Sequence, residues 1–551
     1  MKLKDILLNI DFKGYKHYKI LEKKEFYFKD FSIFFSHIQS DPYAPPSAAI
    51  IKVKSHNIPL QLRDSFDKRV ALIDYLHREF FRNINDKNII VPKPLQKVLY
   101  RSIGFFDNDD TLVFKINIQL PAKGRRILAN EAIKIILNNL PKIVQNSLFY
   151  DSLDKDKLNK HIELYLDQQF IRDFLKKNNA LVFIANGSIL PRESGISDKP
   201  LKNAIKFISP SSIEVEIKLP SGNIIRGALI KEGVNIITGG GFHGKTTLLE
   251  AIEAGIYNHI KGDGREFVIT RDDAVKIRAE DGRYVADLDI SPFIRNLPYG
   301  KDTKRFYTLD SSGSTSQAAN IIEALEAGSR FILIDEDTSA TNFMVKDEII
   351  SNFITHDIEP IIPFLYRVRE IYEKYKISSI IITGGVGEYL KVADRVFLMR
   401  EYKMEDITIK VKDFFKTKNS NIKNYNYEDF YIISPRRLKE NVINPYKGKK
   451  IKIKSKDKTT IIFGNYSIDT SKIETIISSN QLKTIGEIVY LSYKKYGKKY
   501  NIVDMVEKFL EDIKINNFEN LLVKDSPSYI LPRKYEIIFA LHRLRSVRYK
   551  I

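Results

Sequence analysis

The sequence predicts an α/β fold for the middle of the chain, with an α+β N-terminal domain before it and a mixed, mostly helical C-terminal region after it. Two observations carry the prediction. A short apolar run at residues 234–237 leads into a glycine-rich turn and then into a helical pattern. A second apolar run, at residues 331–334, ends in two acidic residues. Buried parallel strands deliver side chains in this way to the carboxyl edge of a sheet, where α/β folds bind ligands.

The glycine-rich turn matches a phosphate-binding loop. Residues 239–246 fit the pattern G-x-x-x-x-G-K-S/T, between the strand and the helix that the pattern requires. Glycines let backbone N–H groups converge on phosphate oxygens, and the following helix presents its positive end. Lys245 is expected to reach the β- and γ-phosphates, and Thr246 to bind Mg²⁺. The predicted nucleotide-binding residues of this loop are Gly239, Gly240, Gly241, Phe242, His243, Gly244, Lys245, Thr246 and Thr247.

Composition limits the class of protein. A chain of 551 residues is too long for one core, so several domains are expected. We place them at 1–206, 207–405 and 406–551. Cys is absent, which excludes disulfides, thiolate catalysis and Cys-based metal sites. The N-terminus does not look like a signal peptide, and no uncharged run approaches the roughly 18 residues of a membrane helix. We therefore expect a cytoplasmic protein without a membrane partner.

The N-terminal region reads as α+β. Residues 31–35 are typical of a strand, and residues 68–83 carry apolar side chains at helical spacing. A basic turn at 120–126 leads into a predicted helix at 131–140. Ahead of the phosphate-binding loop, alternating residues from Ile213 onward and the turn at Gly222 predict a β-hairpin.

Further elements in the middle region resemble those of the ABC-class ATPases. Ser312-Gly313 opens a predicted helix that runs through Ala327, and Asp335-Glu336 ends the second apolar run. The resemblance implies that Asp335 holds Mg²⁺ and that Glu336 activates the attacking water. It also implies that Ser312, Gly313 and Ser314, at the signature position of the class, reach the γ-phosphate bound by a partner subunit. Residues 337–342 lie where the dimer-contacting D-loop begins.

A closer resemblance extends over the whole chain. The segments GGGFHGKTT, KIRAEDGR, SGSTSQAANIIEALE and LIDEDTSATNFM, with SDPYAPP near the start and PRKYEIIFALHRLR near the end, are similar to the family called the predicted ATPases of the ABC class. The resemblance implies proteins with their own N-terminal domain, ATP and Mg²⁺ as cofactors, a homodimer and no membrane partner.

Two departures from ordinary ABC ATPases stand out. Gly384 occupies the place of the switch histidine after the predicted strand 379–382, whereas His356 has a similar local sequence but no apolar strand before it. A clear Q-loop glutamine is also missing, so Glu280, Asp281 or Arg278 becomes a candidate contact for the metal or the water. Loss of a γ-phosphate contact costs rate before it costs binding, so we expect slow ATP hydrolysis.

The C-terminal region is basic. Residues 436–458 hold ten Lys or Arg residues and two acids, within a chain of net charge +20. Alternation over residues 450–456 predicts a strand with lysines on one face, which suits a nucleic-acid backbone, although lysines also protect edge strands. The candidate RNA-binding residues are Lys447, Lys449, Lys450, Lys452 and Lys454. Helices are predicted at 485–496, 502–513 and 534–548, the last ending in arginines that either bind nucleic acid or pair with acids.

The sequence thus predicts a homodimeric ABC-class ATPase that hydrolyses ATP·Mg at the dimer interface. The predicted catalytic residues are Glu336, Lys245 and Asp335, with Thr246 and Asp335 at the metal. Closure of the dimer is expected to control binding of RNA or another polyanion. The alternative is a dimeric scaffold in which ATP gates assembly and hydrolysis is negligible.

Overall fold

The computed structural model describes residues 2–347, 353, 359–418 and 427–550. His356 lies outside this part of the chain. The chain divides into two compact units, the first made of Met1–Leu166 and Asp512–Leu531, the second of Asp167–Glu511 and Pro532–Ile551. The three-domain division at residues 206 and 405 stays a prediction. Within the described ranges, no helix combines the length and the apolar character needed to cross a membrane.

The first unit is built on an antiparallel sheet. Its strands lie in the order β1-β2-β3-β7-β4, and β6 also pairs with β7. The strands of this unit are β1 Glu25–Tyr27, β2 Ser32–His37, β3 Ser47–Val53, β4 Ile89–Ile90, β5 Lys97–Val98, β6 Gly104–Phe106, β7 Leu112–Ile118, β8 Ala122–Lys123 and β9 Arg126–Ile127. Its helices are α1 Leu3–Asn9, α2 Phe66–Asn83, α3 Ala129–Ile133 and α4 Leu140–Leu148, and α5 Lys155–Lys177 runs on into the second unit.

Helix α2 shows why the local prediction succeeded. The Ser65 side chain caps the helix by accepting a hydrogen bond from the Lys68 amide, and Asp67 lies in the positively polarised first turn. Apolar residues at helical spacing, including Val70, Ile73 and Phe80, are buried. The predicted helix at 131–140 is longer and less regular: α3 passes through a π-helix at Lys134–Asn139 into α4.

The second unit contains two larger sheets. An antiparallel sheet has the order β11-β12-β10-β15, and the predicted hairpin is its β11–β12 pair. The central sheet has the order β16-β19-β20-β13-β21-β22 and is parallel except for β22. The strands concerned are β10 Ala180–Ala185, β11 Glu214–Lys218, β12 Ile224–Lys231, β13 Val234–Thr238, β14 Asn258–His259, β15 Val268–Thr270, β16 Ala274–Ile277, β17 Arg283–Leu288, β18 Phe306–Ser311, β19 Phe331–Asp335, β20 Ser378–Ile382, β21 Arg395–Arg400 and β22 Lys403–Asp406.

Helices complete this unit together with a small C-terminal sheet of three strands, β25-β26-β27. The helices are α6 Lys245–Ala254, α7 Gly313–Glu326, α8 Thr341–Met344, α9 Phe364–Tyr375, α10 Thr408–Lys418, α11 Ser479–Tyr496, α12 Ile502–Ile515 and α13 Lys534–His542. The remaining strands are β23 Tyr446–Lys447, β24 Lys450–Ile451, β25 Ile453–Ser455, β26 Thr460–Phe463 and β27 Tyr466–Asp469.

Helix α13 is shorter than predicted. It ends at His542, and the chain then extends so that the Arg548 carbonyl accepts a hydrogen bond from the Lys439 amide. The arginines of this segment have different surroundings. Arg543 is buried and forms an ion pair with Glu280, whereas Arg548 donates to the Tyr307 hydroxyl at 2.9 Å. Arg543 therefore pairs with an acid, which was one of the two expectations for these arginines.

Arg436 does not belong with the exposed lysines that follow it in the sequence. Its guanidinium is buried and donates to both carboxylate oxygens of Glu326, at 2.7 Å for Nη2 to Oε2. Nearby, Arg283 pairs with Glu323. Burial alone would raise the pKa of Glu323, but Arg283, His542 and Arg436 together lower it to about 2. This cluster joins α7 to the C-terminal segments, and its buried arginines are paired with buried carboxylates of the same chain.

Candidate functional site

Three loops meet at the carboxyl edge of the central sheet. Strand β20 lies between β13 and β19, with Ile382 opposite Asp335 on one side and opposite Ile237 on the other. The residues that follow these three strands must therefore lie side by side. They are the glycine-rich loop after β13, the acidic pair at the end of β19, and Thr383-Gly384-Gly385 after β20.

The loop after β13 needs glycine at two positions. Gly239 has φ of +145°, and a Cβ there would lie 2.3 Å from the Met399 carbonyl oxygen. Gly244 has φ of +92°, and a Cβ there would lie 2.6 Å from the Tyr402 ring. Neither position accepts a larger residue without displacing backbone or ring. Between them Phe242 adopts a left-handed conformation, with its side chain fully exposed.

Lys245 begins helix α6 and folds back over this loop. Its ammonium group donates hydrogen bonds to the carbonyl oxygens of Gly239 at 2.7 Å and Gly240 at 2.8 Å. A Cβ at Gly384 would lie 3.5 Å from the same nitrogen, so Lys245 also borders the loop after β20. Thr246, in the first turn of α6, is exposed. An anion would be favoured here, because the positive end of α6 and the Lys245 ammonium lie beside a loop whose glycines leave the backbone accessible.

The two acids at the end of β19 have opposite environments. Asp335 is only 2% exposed, and burial raises the pKa of its carboxyl, although the Asp337 amide, which donates to it at 3.2 Å, partly offsets this effect. Burial also favours a raised pKa for Glu336, but hydrogen bonds from Thr383 and from the backbone of Gly385 and Gly384 outweigh it and lower the pKa. Glu336 is therefore held as a carboxylate.

The sequence identified the loop after β20 only as the place where the expected switch histidine is missing. Glu336 Oε2 accepts hydrogen bonds from the Thr383 hydroxyl at 2.7 Å, the Gly384 amide at 2.8 Å and the Gly385 amide at 3.2 Å. A Cβ at Gly385 would lie 3.2 Å from the other carboxylate oxygen. The backbone itself thus approaches the acid, and a side chain would be crowded at Gly385 but not at Gly384, where a Cβ would lie no closer than 3.5 Å to any atom.

A second missed contact comes from the turn between β21 and β22. Glu401 and Tyr402 both have positive φ, and the Glu401 amide donates to His243 Nδ1 at 2.8 Å. The Tyr402 amide donates to the His243 carbonyl at 3.1 Å, and its ring packs on Gly244. This turn braces the glycine-rich loop. No signal in the sequence pairs residues so far apart in the chain.

Ser312, Gly313 and Ser314 form the N-terminal end of helix α7, where Ser312 is exposed, Gly313 is half-buried and Ser314 is buried. The Ser312 side chain caps the helix by accepting from the Thr315 amide at 3.4 Å, and within the described ranges its hydrogen bonds stay inside this first turn. Gln317 connects α7 to the segment after the acids: it accepts from the Ala340 amide at 2.8 Å and donates to the Ser339 hydroxyl at 2.9 Å. The helix tip and residues 337–342 are therefore coupled.

The three candidates for the missing glutamine differ in their surroundings. Glu280 is almost fully buried and paired with Arg543, and Arg278 is paired with Glu474. Both side chains are therefore engaged by the C-terminal part of the chain. Asp281 is exposed, and a Cβ at Gly313 would lie 3.3 Å from its carboxylate, so it lies next to the α7 tip.

The donors present fit Mg²⁺ only when phosphate oxygens help to bind it. In the described part of the chain, no three His, Asp or Glu side chains cluster so as to hold a metal by themselves. Asp335, buried at the end of β19, and the exposed Thr246 hydroxyl are oxygen donors of the kind that Mg²⁺ takes from nucleotide sites, where it keeps several waters.

The candidate RNA-binding lysines lie in and around the β23–β24 hairpin, which is not part of the central sheet. Lys447, Lys449, Lys450 and Lys454 are exposed, and Lys452 is half-buried. The strand predicted for residues 450–456 is present as two short strands, β24 and β25, because the chain is interrupted at Lys452, whose amide donates to the Pro445 carbonyl. The positive charge of Lys447 lowers the pKa of the Lys452 ammonium, so these lysines crowd one another.

Comparison with protein families decides the class. A family model for the P-loop domain of ABC ATPases matches residues 154–436, just over half of the chain. The chain belongs to the ABC-class ATPases. A model for the N-terminal region of this class matches residues 1–151, and one for the MRB1590 C-terminal domain matches residues 452–550. The predicted family and the predicted α/β P-loop core, with its N-terminal domain and helical C-terminal region, are confirmed.

The relatives of this ABC-class ATPase share only part of its length. An uncharacterised protein of Methanocaldococcus jannaschii, MJ1628, is 31% identical over 281 residues, which are 49% of this chain and 60% of that protein. Among solved structures, MJ1267 in its ADP conformation, an ATP-binding cassette of an ABC transporter, is 12% identical in sequence to this chain. The match covers 44% of this chain and 96% of MJ1267, with a TM-score of 0.26. CbiO1 of Clostridium perfringens, part of an ABC transporter complex, is 13% identical. The match covers 44% of this chain and 92% of CbiO1, with a TM-score of 0.26.

The glycine geometry gives a first test. Replacing Gly244 with Ala forces a Cβ into a left-handed residue and against the Tyr402 ring, so we expect ATP affinity to fall about tenfold or more. Gly195→Ala, outside this loop, is the control, because Gly195 does not have a positive φ and a Cβ there meets no atom within 4 Å. Binding of fluorescent ATP, measured by anisotropy, compares the two variants. Equal affinities for both would contradict the role given to this loop.

Proposed function

We propose that this chain binds ATP with Mg²⁺ in the loop after β13 and hydrolyses it slowly. The observation that carries the proposal is Glu336, a carboxylate held by three hydrogen bonds beside the loop that borders Lys245. A base that activates water must be ionised and fixed in position, and Glu336 meets both conditions. Membership of an ATPase family supports the same reaction.

Each residue at the sheet edge has a defined task in this proposal. Lys245 leaves the two loop carbonyls and binds the β- and γ-phosphates, while the N–H groups of residues 239–244 surround the phosphate oxygens. Glu336 accepts a proton from the attacking water. Thr246 and Asp335 hold Mg²⁺, which when bound neutralises charge on the β- and γ-phosphates.

The proposed active unit is a homodimer. The tip of α7, with Ser312, Gly313 and Ser314, uses its hydrogen bonds within its own first turn and leaves Ser312 exposed. A helix N-terminus that is free in this way suits the γ-phosphate of a nucleotide bound to a second copy. Gln317 transmits the position of this tip to Ser339 and Ala340, which follow the acidic pair of the same chain.

Slow turnover follows from the loop after β20. A histidine at position 384 would supply a side chain to the γ-phosphate, whereas Gly384 supplies only its amide, and that amide is engaged by Glu336. Transition-state charge is then stabilised by fewer groups, which lowers the rate of phosphoryl transfer. The competing function, an ATP-gated scaffold with negligible hydrolysis, is favoured by the same glycine and opposed by the ionised Glu336.

Glu336→Gln separates the two functions. The amide keeps the shape of the side chain but cannot accept the proton, so single-turnover hydrolysis of ATP should fall about 100-fold or more while ATP affinity is retained. Glu250→Gln, on the exposed side of α6, is the control and should hydrolyse ATP like the wild type. The scaffold function predicts that wild type and Glu336→Gln release phosphate at the same negligible rate.

We further propose that closure of the dimer changes the affinity of the C-terminal lysines for RNA. The support is the crowding of Lys447, Lys449, Lys450, Lys452 and Lys454 on and beside one exposed hairpin, in a chain of net charge +20. Lysines that repel one another gain by binding a polyanion, because each phosphate contact relieves the repulsion and releases counterions.

Substitution of three of these lysines tests RNA binding. The variant Lys449→Ala, Lys450→Ala, Lys454→Ala should bind single-stranded RNA more weakly and lower the slope of log affinity against log salt by about 2, at about 0.7 per lost contact. Lys410→Ala with Lys412→Ala, on the exposed face of α10, is the control. RNA affinity without a salt slope, or an equal loss in both variants, would count against the proposal.

A further inference from the structure

The first unit contains a cavity of about 720 Å³, within the range of small-molecule sites. It opens between the start of helix α2, the chain around strand β6 and the segment that follows α12. Its walls carry four cationic side chains, three carboxylates and several rings; the ones used below are Arg63, Phe66, Tyr100, Arg101, Phe106 and Lys514. None of these residues belongs to the proposed ATP site.

Arg101 is the unusual member of this wall. It is only 4% exposed, and its Nε and Nη2 atoms are buried without a hydrogen-bond partner in the described structure. Burial lowers the pKa of its guanidinium to about 10, and Asp74 only partly offsets this effect. Asp74 is already bound by Arg78, at 2.6 Å from Nε to Oδ2, and lies 3.2 Å from His161. Buried donors without acceptors are costly, so a cavity beside them is expected to receive an acceptor.

The cationic side chains of the cavity wall outnumber its carboxylates, so the cavity has an excess of positive charge. Arg63 is neutralised by a two-pronged contact with Asp110. Lys514 is exposed near the end of α12, with its ammonium 5.6 Å from the centre of the Phe66 ring and outside any ion pair of the described residues. Arg69 donates to the Arg63 carbonyl and also lies outside any ion pair of the described residues. Arg69, Arg101 and Lys514 therefore remain as the cations available to a ligand, and of these only Arg101 is buried.

Aromatic rings line the same cavity. Phe66 and Tyr100 meet edge to face at 5.1 Å, and the Tyr100 hydroxyl is fixed by donating to Asn517 at 3.0 Å. Phe106 forms another part of the wall, with the Arg63 guanidinium 5.0 Å from its ring centre. Fixed rings offer apolar faces on which a planar group can pack at little entropic cost.

We propose that this cavity binds a small organic phosphate with a planar ring, of the nucleoside monophosphate class. Arg101 and Lys514 bind the phosphate, because a guanidinium with free N–H groups and a nearby ammonium match its charge and its acceptors. Phe66, Tyr100 and Phe106 pack against the ring. The same chemistry is offered by a free nucleotide and by the 5′-terminal nucleotide of a single strand.

A single tryptophan reports on this cavity alone. The chain has no Trp, and Leu60 is 63% exposed and lines the cavity, so Leu60→Trp in the full-length protein adds one local fluorophore. Uridine 5′-monophosphate should change its fluorescence with saturation, and uridine should bind about tenfold more weakly or worse. The readout is independent of the ATP site, so it stands whether or not ATP is hydrolysed.

Charge variants then decide the proposal. In the Leu60→Trp background, Lys514→Glu should weaken binding of uridine 5′-monophosphate about tenfold or more, whereas Lys524→Glu, exposed and outside the cavity, should leave it within about twofold. Arg101→Met should abolish binding. If Arg101→Met does not fold, Lys514→Glu alone tests the role of the cavity's positive charge. Equal binding of 5′-phosphorylated pentauridylate assigns the site to strand ends, and its exclusion assigns it to free nucleotides. Equal effects of the two lysine variants, or equal affinities for uridine and its monophosphate, would overturn the proposal.

Discussion

The site depends on the register of three parallel strands. Because β20 lies between β13 and β19, and Ile382 is level with both Ile237 and Asp335, the loop after β20 has to pass between Lys245 and Glu336. The backbone amides of that loop approach the Glu336 carboxylate to 2.8 and 3.2 Å, which leaves little room for a side chain at Gly385. Strands β19 and β20 are buried along their whole length, and β13 is buried except at Thr238, as expected for parallel strands covered on both faces.

Opposite pKa shifts at two adjacent acids follow from this arrangement. Asp335 belongs to the strand and is buried with few donors, while Glu336 is the first residue beyond it and reaches the amides of the next loop. A bound cation would favour the ionised form of Asp335, so metal binding and the charge of this carboxyl are coupled. Glu336 needs no such partner to stay ionised. The two acids are thus prepared for the different tasks proposed for them.

Local patterns in the sequence were sufficient for much of the fold. The strand–loop–helix at 234–254, the acid-ending strand β19, the capped α7 and the hairpin β11–β12 were predicted because each depends on neighbours a few residues apart. Contacts between distant segments were out of reach. Glu280 was a candidate contact for the metal or the water, and Arg436 was counted with the basic stretch 436–458, yet they pair with Arg543 and Glu326, more than one hundred positions away. The contact between Glu401 and His243 and the cavity around Arg101 were not predicted from the sequence for the same reason.

The most direct test of the account is a structure of the Glu336→Gln protein with ATP and Mg²⁺. We expect a closed homodimer in which each triphosphate lies between Lys245 of one protomer and Ser312 of the partner subunit, with the metal beside Thr246 and Asp335. A triphosphate bound in the loop after β13 with Ser312 of the partner subunit remote from it would contradict the dimeric site. Failure to bind ATP with Mg²⁺ would contradict the account as a whole.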